Sequence, residues 1–422
     1  MSKAAAALCL HVVVATALID QRVQCPNESF FGYDSIKGLN QDMKILAETK
    51  NNSYTFNLCP NTIFDGSETL SPILNNSRFI CGITGRSRQR CIILGGSRQI
   101  YLSEPNVTYV SFHGVTLSES VEYGVLAQGP ASAVADFFEC QWLNSHGHSG
   151  VHIECESNND KKMEDLNAIQ SEFSRTSSQN GNIKDHGVRD NLFQHRRTSE
   201  SSFGMTVRIY NSTFQQIDQS GFQAISSAGN LYLFNVSMRN IQGGVLTNIK
   251  NGNASIESCH FEFNDGTSII RAVNSEAVEI RDTIIESNNA TGMVTAIASK
   301  VMIENCQFIG NHATRGGEVL AFSSSIEIKD SSILHSKAMA SVFQSMDSQV
   351  EQINVYSDDL VGDFCPGVLH EDQHSACFNG GECSGKCYKF TGDISHSYSG
   401  STDIIVIYML GVMIWVTYIV IL

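Results

Sequence analysis

The chain of 422 residues carries 43 acidic against 28 basic side chains, a formal charge of −15. That balance argues against a nucleic-acid partner, and it disfavours acidic polysaccharides unless Ca²⁺ or a local basic patch receives them. Thirteen cysteines in one chain point to an oxidising compartment if the protein is exported.

Met1 to Ala17 has one lysine, an apolar run and a small-residue end at Ala15-Thr16-Ala17. It reads as a secretory signal peptide. Eight N-glycosylation sequons agree with that route, at Asn27, Asn51, Asn75, Asn106, Asn211, Asn235, Asn253 and Asn289. Asn253 and Asn289 fall in the longer turns and are the favoured acceptors. Asn211 and Asn235 sit at a bend where tight packing would oppose a glycan.

Residues 18–55 show no clear period and are expected to form an N-terminal cap over the open end of the repeats. Cys25, Cys59, Cys81 and Cys91 cluster here and should staple the cap, in any of three pairings. Short apolar runs then begin with YTFNLC at Tyr54, RFICGITG at Arg78, CIILGG at Cys91 and VTYVSFHGVTL at Val107. AVADFFECQW at Ala133 is another, and residues 156–202 form a polar insertion in which only LNAIQSEF at Leu166 keeps the pattern. Insertions on a repeat scaffold often carry binding surfaces.

From Val207 one phrase returns every 23 to 25 residues: VRIYNSTF, LYLFNVSM, ASIESCHF, VEIRDTII, VMIENCQF and IEIKDSSI. Each copy alternates apolar and polar residues, places Asn, Asp or Ser at the fifth position and returns to a large apolar residue at the eighth. Helical repeats need about 33 residues or more and a spacing of 3.6, so the reading is a parallel β-helix with one triangular coil per repeat. Stacking turns equivalent residues into columns about 4.8 Å apart. Phe214, Met238, Phe261, Ile285, Phe308 and Ile333 form an interior column. Asn211, Asn235, Ser258, Asp282, Asn305 and Asp330 form a bend column with left-handed backbone. Cys259 and Cys306 fall in one column two coils apart, roughly 9 to 10 Å, beyond the limit of about 7 Å for a disulfide. They are expected as buried free thiols, whereas Cys140 and Cys155 could pair across a turn.

These columns resemble the right-handed parallel β-helix of pectin-lyase-like proteins. FIGNHATRGGEVL at Phe308 is similar to the FxxN and GG repeats of polymorphic outer-membrane proteins. The expected architecture is therefore all-β, a right-handed β-helix over residues 56–357. The resemblance implies adhesins, inert scaffolds, lyases and hydrolases alike. CFNGGEC at Cys377 looks like the core of an EGF-like module, so Cys365, Cys377, Cys383 and Cys387 suggest a truncated disulfide knot over residues 358–390. A polar spacer, 391–403, precedes the uncharged run 404–422, which fits a GPI-anchor signal or, alternatively, a transmembrane span. Both place the protein on the outer cell surface.

Chemistry is sparse. Asp358-Asp359 and His146-Gly147-His148 are the weak catalytic candidates, and the histidines, with His152 nearby, are explained by turn chemistry or at most by a metal lacking a third ligand. Arg86, Arg88, Arg90 and Arg98 form a candidate glycan-binding patch, and His195-Arg196-Arg197 a second. No cofactor is implied beyond a weak case for Ca²⁺. The resulting expectation is a non-catalytic glycoprotein that binds extracellular polysaccharide or matrix, membrane-attached through its tail. The alternative is a carbohydrate-active lyase or hydrolase on the same scaffold.

Overall fold

The computed structural model describes residues 21–357, except 27, 49–52, 84–89, 104–106, 129–131, 155–203, 219–222, 315–316, 339–342 and 347, and it also describes the strand Cys383–Gly385. The described chain winds as a right-handed parallel β-solenoid of about nine turns. Three parallel sheets run its length, with twelve, eleven and nine strands among the described residues. A representative coil contributes Ala254–Glu257 to the first sheet, His260–Glu262 to the second and Ser268–Val273 to the third. The next coil lies in register on it, pairing Ala254 with Val278, Phe261 with Ile285 and Ile270 with Val294.

Alternation explains the strands. Residues of one parity point inward, and Phe214, Met238, Phe261, Ile285, Phe308 and Ile333 are all at most 1 % exposed. Near the N-terminal end the interior of the first sheet is an aromatic ladder, with Phe56, Phe79, Phe112 and Phe137 stacked at centroid distances of 5.1, 4.8 and 5.0 Å. In the same column Ile209, Leu233, Ile256, Ile280 and Ile303 then take over. The bend column is left-handed, with φ between 47° and 54° from Asn211 through Asp330. Asn and Asp tolerate that region better than other non-glycine residues. Each bend N–H donates to a carbonyl of the following coil, as from Asn211 to Phe234 at 3.0 Å and from Asp282 to Glu304 at 3.1 Å.

A second ladder is polar and fully interior. Asn264, Asn288 and Asn311 are at most 1 % exposed. Asn288 Nδ2 donates to the Phe261 carbonyl at 2.9 Å, while Asn288 Oδ1 accepts from the backbone N and Nδ2 of Asn264 at 3.0 and 2.9 Å. Asn264 and Asn311 likewise donate to the carbonyls of Met238 and Ile285. These are the asparagines of the FxxN pattern. Burying an amide is tolerable here because its hydrogen bonds are made.

The N-terminal segment contains one helix, Ile36–Ala47, capped by Ser35, whose side chain accepts from Gly38 N. Its Ile36, Leu39 and Met43 are buried against the first coils. Two disulfides settle the pairing left open by the sequence: Cys25–Cys59 ties this segment to the first coil, and Cys81–Cys91 closes a short loop. Cys259 and Cys306 are free and buried. Cys140 is free and buried too, which corrects the expected pairing with Cys155. Its sulfur lies inside the coil, 3.7 Å from the Phe112 carbonyl oxygen, and its N–H bonds Ser212 Oγ at 3.0 Å. It thus belongs to the column of Cys259 and Cys306. In the cysteine-rich segment, Cys383–Gly385 adds a parallel strand beside Gln349–Ile353. Cys155, Cys365, Cys377 and Cys387 lie outside the described residues, as do the leader, the insertion and the apolar tail. Among the described residues no helix is long and apolar enough to cross a membrane.

Two outcomes test this packing. Asn288→Ala removes the acceptor of the buried Asn264 backbone N–H and the side-chain bond to the Phe261 carbonyl and should lower unfolding free energy by about 3 kcal/mol, measured by denaturant titration; a loss below about 1 kcal/mol would show that the ladder is dispensable. Burial pushes the thiols of Cys140, Cys259 and Cys306 up to about 12. Peptide mapping after alkylation at neutral pH should find all three unmodified in the native protein and modified once it is unfolded.

Candidate functional site

The outer face of the first sheet is unlike the rest of the surface. Its residues just before the bend form the column Ile80, His113, Phe138, Tyr210, Phe234 and then Glu257. His113 stacks on Phe138 at 4.7 Å, and Phe138 on Tyr210 at 4.8 Å. Beside it runs a second outer column: Arg78, Ser111, Asp136, Arg208, Tyr232 and Ser255. Tyr232 and Phe234, on one strand, are 45 % and 42 % exposed. Aromatic residues thus cover both sides of this sheet, Phe137 inward and Phe138 outward.

A charge network is set among the rings. Arg208 grips Asp136 with two bonds, Nε to Oδ1 at 2.6 Å and a terminal nitrogen to Oδ2 at 2.8 Å. Tyr109 adds its hydroxyl to Oδ2 at 3.0 Å. Asp136 is only 3 % exposed, so this bidentate geometry is what permits its burial. The bond to Asp136 raises the Arg208 pKa, whereas burial, and then the Asp136 charge, raise that of Tyr109. One rung away, Arg78 Nε donates to His113 Nε2 at 3.2 Å, with Ser111 Oγ also 3.2 Å from that nitrogen. Burial, followed by the Arg78 charge, pushes His113 down to about 4. The imidazole is neutral at physiological pH and behaves as a flat polar ring continuing the ladder.

Past Phe234 the same two columns become ionic. Arg281 sits 3.0 Å from Glu279 and 3.2 Å from Glu304, all of them substantially exposed. Exposed pairs like these contribute little to stability. The face is therefore divided into an aromatic half toward the N-terminus and a salt-bridged half toward the C-terminus.

The residues singled out from sequence are dispersed. His146 and His148 are in the turn before Ser149–Ile153, held by backbone bonds to Ser120 and Glu122. His152 lies on the outer face of the third sheet, stacked on Tyr123 at 4.9 Å with Nε2 3.1 Å from Glu154. Burial lowers its pKa. Among the described residues no three His, Cys, Asp or Glu side chains gather to hold a metal. Arg98 is engaged by Glu122 at 3.2 Å and lies 5.9 Å from the Tyr101 ring centre. Arg90 is exposed at the entry to Cys91–Leu94. Arg86, Arg88, His195, Arg196, Arg197, Asp358 and Asp359 lie outside the described residues.

Of the sequons, Asn27, Asn51 and Asn106 also lie outside the described residues. Asn75 is half-buried, its Oδ1 accepting from Thr108 and Tyr109. Asn253 precedes Ala254–Glu257 as expected of a turn, but Asn289 opens the short strand Asn289–Ala290 that pairs with His312–Ala313. The packing objection to Asn211 and Asn235 fails, since both are exposed. The aromatic face itself escaped the reading of the sequence. Its signal is the residue before each bend: His113, Phe138, Tyr210 and Phe234 in four successive coils.

The described residues define a right-handed parallel β-helix whose first sheet carries an outward aromatic column. Residues 174–333 match the family model described as "Right handed beta helix region". No curated protein matches the chain. Among solved structures, PfbA, a surface adhesin of Streptococcus pneumoniae, aligns over 82 % of this chain and 92 % of its own at 10 % identity and a TM-score of 0.35. At that similarity nothing about activity passes from one protein to the other.

The His113 environment has a measurable consequence. Its folded pKa, about 4, lies below the ordinary 6.5, so on acidification the unfolded chain takes up the proton first. The contribution of His113 is complete above pH 6.5 and is lost as pH falls toward 4. His113→Gln should therefore flatten the fall in unfolding midpoint between pH 6.5 and pH 4; parallel profiles for the two proteins would contradict the assignment.

Proposed function

We propose that this protein is an extracellular β-helix that binds polysaccharide or matrix glycan along the aromatic half of its first sheet. The observation that carries this reading is the outward ladder of His113, Phe138 and Tyr210, continued by Tyr232 and Phe234 and flanked by the Asp136–Arg208 pair. Apolar rings left in contact with water are unfavourable unless something covers them. Sugars offer a match, since pyranose C–H faces lie against rings while hydroxyls meet planar guanidinium, imidazole and carboxylate groups. The rungs repeat at about 4.8 Å, so an extended glycan can make the same contact several times along the axis.

Export is supported by the Met1 to Ala17 segment and the sequons, and surface attachment by the uncharged run 404–422. Binding is favoured over catalysis by the state of Asp136. Both its oxygens are taken up by Arg208 and Tyr109, which leaves it no role as a general acid or base.

The test uses the secreted protein and a panel of neutral and acidic polysaccharides. Binding to at least one is expected, weakened about tenfold by Phe138→Ala or Tyr210→Ala, with unchanged circular dichroism and no reducing ends or unsaturated sugars produced. Undiminished binding by both variants would place the ligand elsewhere, and cleavage of any polysaccharide would replace this reading with the enzymatic one.

A further inference from the structure

Phe234 and Tyr232 are the most exposed rings of the aromatic face, and among the described residues neither makes a ring contact. The next coil offers them no aromatic neighbour, because Glu257 follows Phe234 and Ser255 follows Tyr232 in register. Directly after Phe234 the chain turns at Asn235, in left-handed backbone with φ 53°. Asn235 is exposed and opens the sequence Asn235-Val236-Ser237, an N-glycosylation acceptor.

The amide is oriented. Asn235 Nδ2 donates to Asn211 Oδ1 at 2.8 Å, which uses one of its two hydrogens and leaves the other for substitution. On the following rung the bend column carries Ser258, a short exposed side chain, so space opens on that side. Asn211 is placed differently, with Glu139 before it and Asn235 after it in the column.

We propose that Asn235 carries an N-linked glycan whose first N-acetylglucosamine packs on Phe234 and Tyr232. In the transfer, the amide nitrogen attacks the anomeric carbon of a lipid-diphosphate-linked oligosaccharide. The new N–C bond replaces the sugar's C–O bond to diphosphate, the lipid diphosphate departs, and the displaced amide proton passes to base. The remaining Nδ2 hydrogen keeps the bond to Asn211. The apolar face of the sugar then covers the end of the ladder, leaving His113, Phe138 and Tyr210 as the part of the face open to an external ligand. This inference rests on the export in the proposed function and is independent of its polysaccharide.

The experiment compares the full chain exported from a eukaryotic cell with Ser237→Ala, which removes the sequon but keeps Asn235, with Phe234→Ala, and with the double variant. Glycopeptide mass spectrometry should find Asn235 occupied in the parent and in Phe234→Ala, and bare in Ser237→Ala. Ser237→Ala should lower the thermal midpoint of the parent by about 2 °C and leave that of Phe234→Ala unchanged. An unoccupied Asn235 in exported protein overturns the proposal, as does an equal loss of midpoint in both backgrounds. Polysaccharide binding of the same preparations, with Tyr210→Ala as control, reports separately on the proposed function.

Discussion

The structure depends on one backbone requirement repeated coil after coil. At the bend after the first-sheet strand a residue adopts left-handed geometry, glycine at Gly114 and Glu, Asn, Ser or Asp from Glu139 to Asp330, and its N–H reaches the carbonyl of the next coil, as Asn211 does to Phe234 and Ser258 to Arg281. If that bend advanced by one residue, every following side chain would change faces, because the side-chain period of a strand is two. The interior phenylalanines would then meet water and the outer charges the core. The bend residue thus fixes what is inside and what is outside, and the Asn264, Asn288 and Asn311 ladder secures the opposite corner in the same way.

Function derives from this control of facing. Because the register is fixed, neighbouring residues such as Phe137 and Phe138 can serve different purposes, one stacked in the core and one displayed outside. The outward ring stack is as ordered as the inner one, since both inherit the spacing of the strands. A flat, regularly spaced surface suits a ligand that is itself a repeating polymer, and Asp136 lies within it with both oxygens bonded, to Arg208 and Tyr109.

Much of the fold was legible in the sequence because period and alternation are local signals. The inner column from Phe214 to Ile333 and the bend column from Asn211 to Asp330 follow directly from aligned phrases. The disulfide partners of Cys25 and Cys81 did not, since pairing depends on which coils adjoin. The helix Ile36–Ala47 was missed although Ser35 and the spacing of Ile36, Leu39 and Met43 signal it; without repetition it drew no attention. The aromatic face was missed for a different reason. His113, Phe138, Tyr210 and Phe234 are ordinary outward positions taken singly, and only stacking makes them one surface. The charged and histidine motifs were conspicuous as strings, yet His146, Arg98 and His152 serve turns and local pairs.

Phe138 and Tyr210 stack at 4.8 Å, much as Phe112 and Phe137 do at 5.0 Å, although 72 positions separate them where about 24 is usual. Paired strands sense only each other, and tripling the intervening length costs an entropy of about 1 kcal/mol. Such a scaffold can acquire or discard stretches of sequence between rungs while its columns remain aligned. Lineages of this architecture can therefore diverge by insertion at one corner of a coil while the displayed surface stays intact, which gives such chains an evolutionary freedom that a globular core, with contacts spread across the whole sequence, does not have.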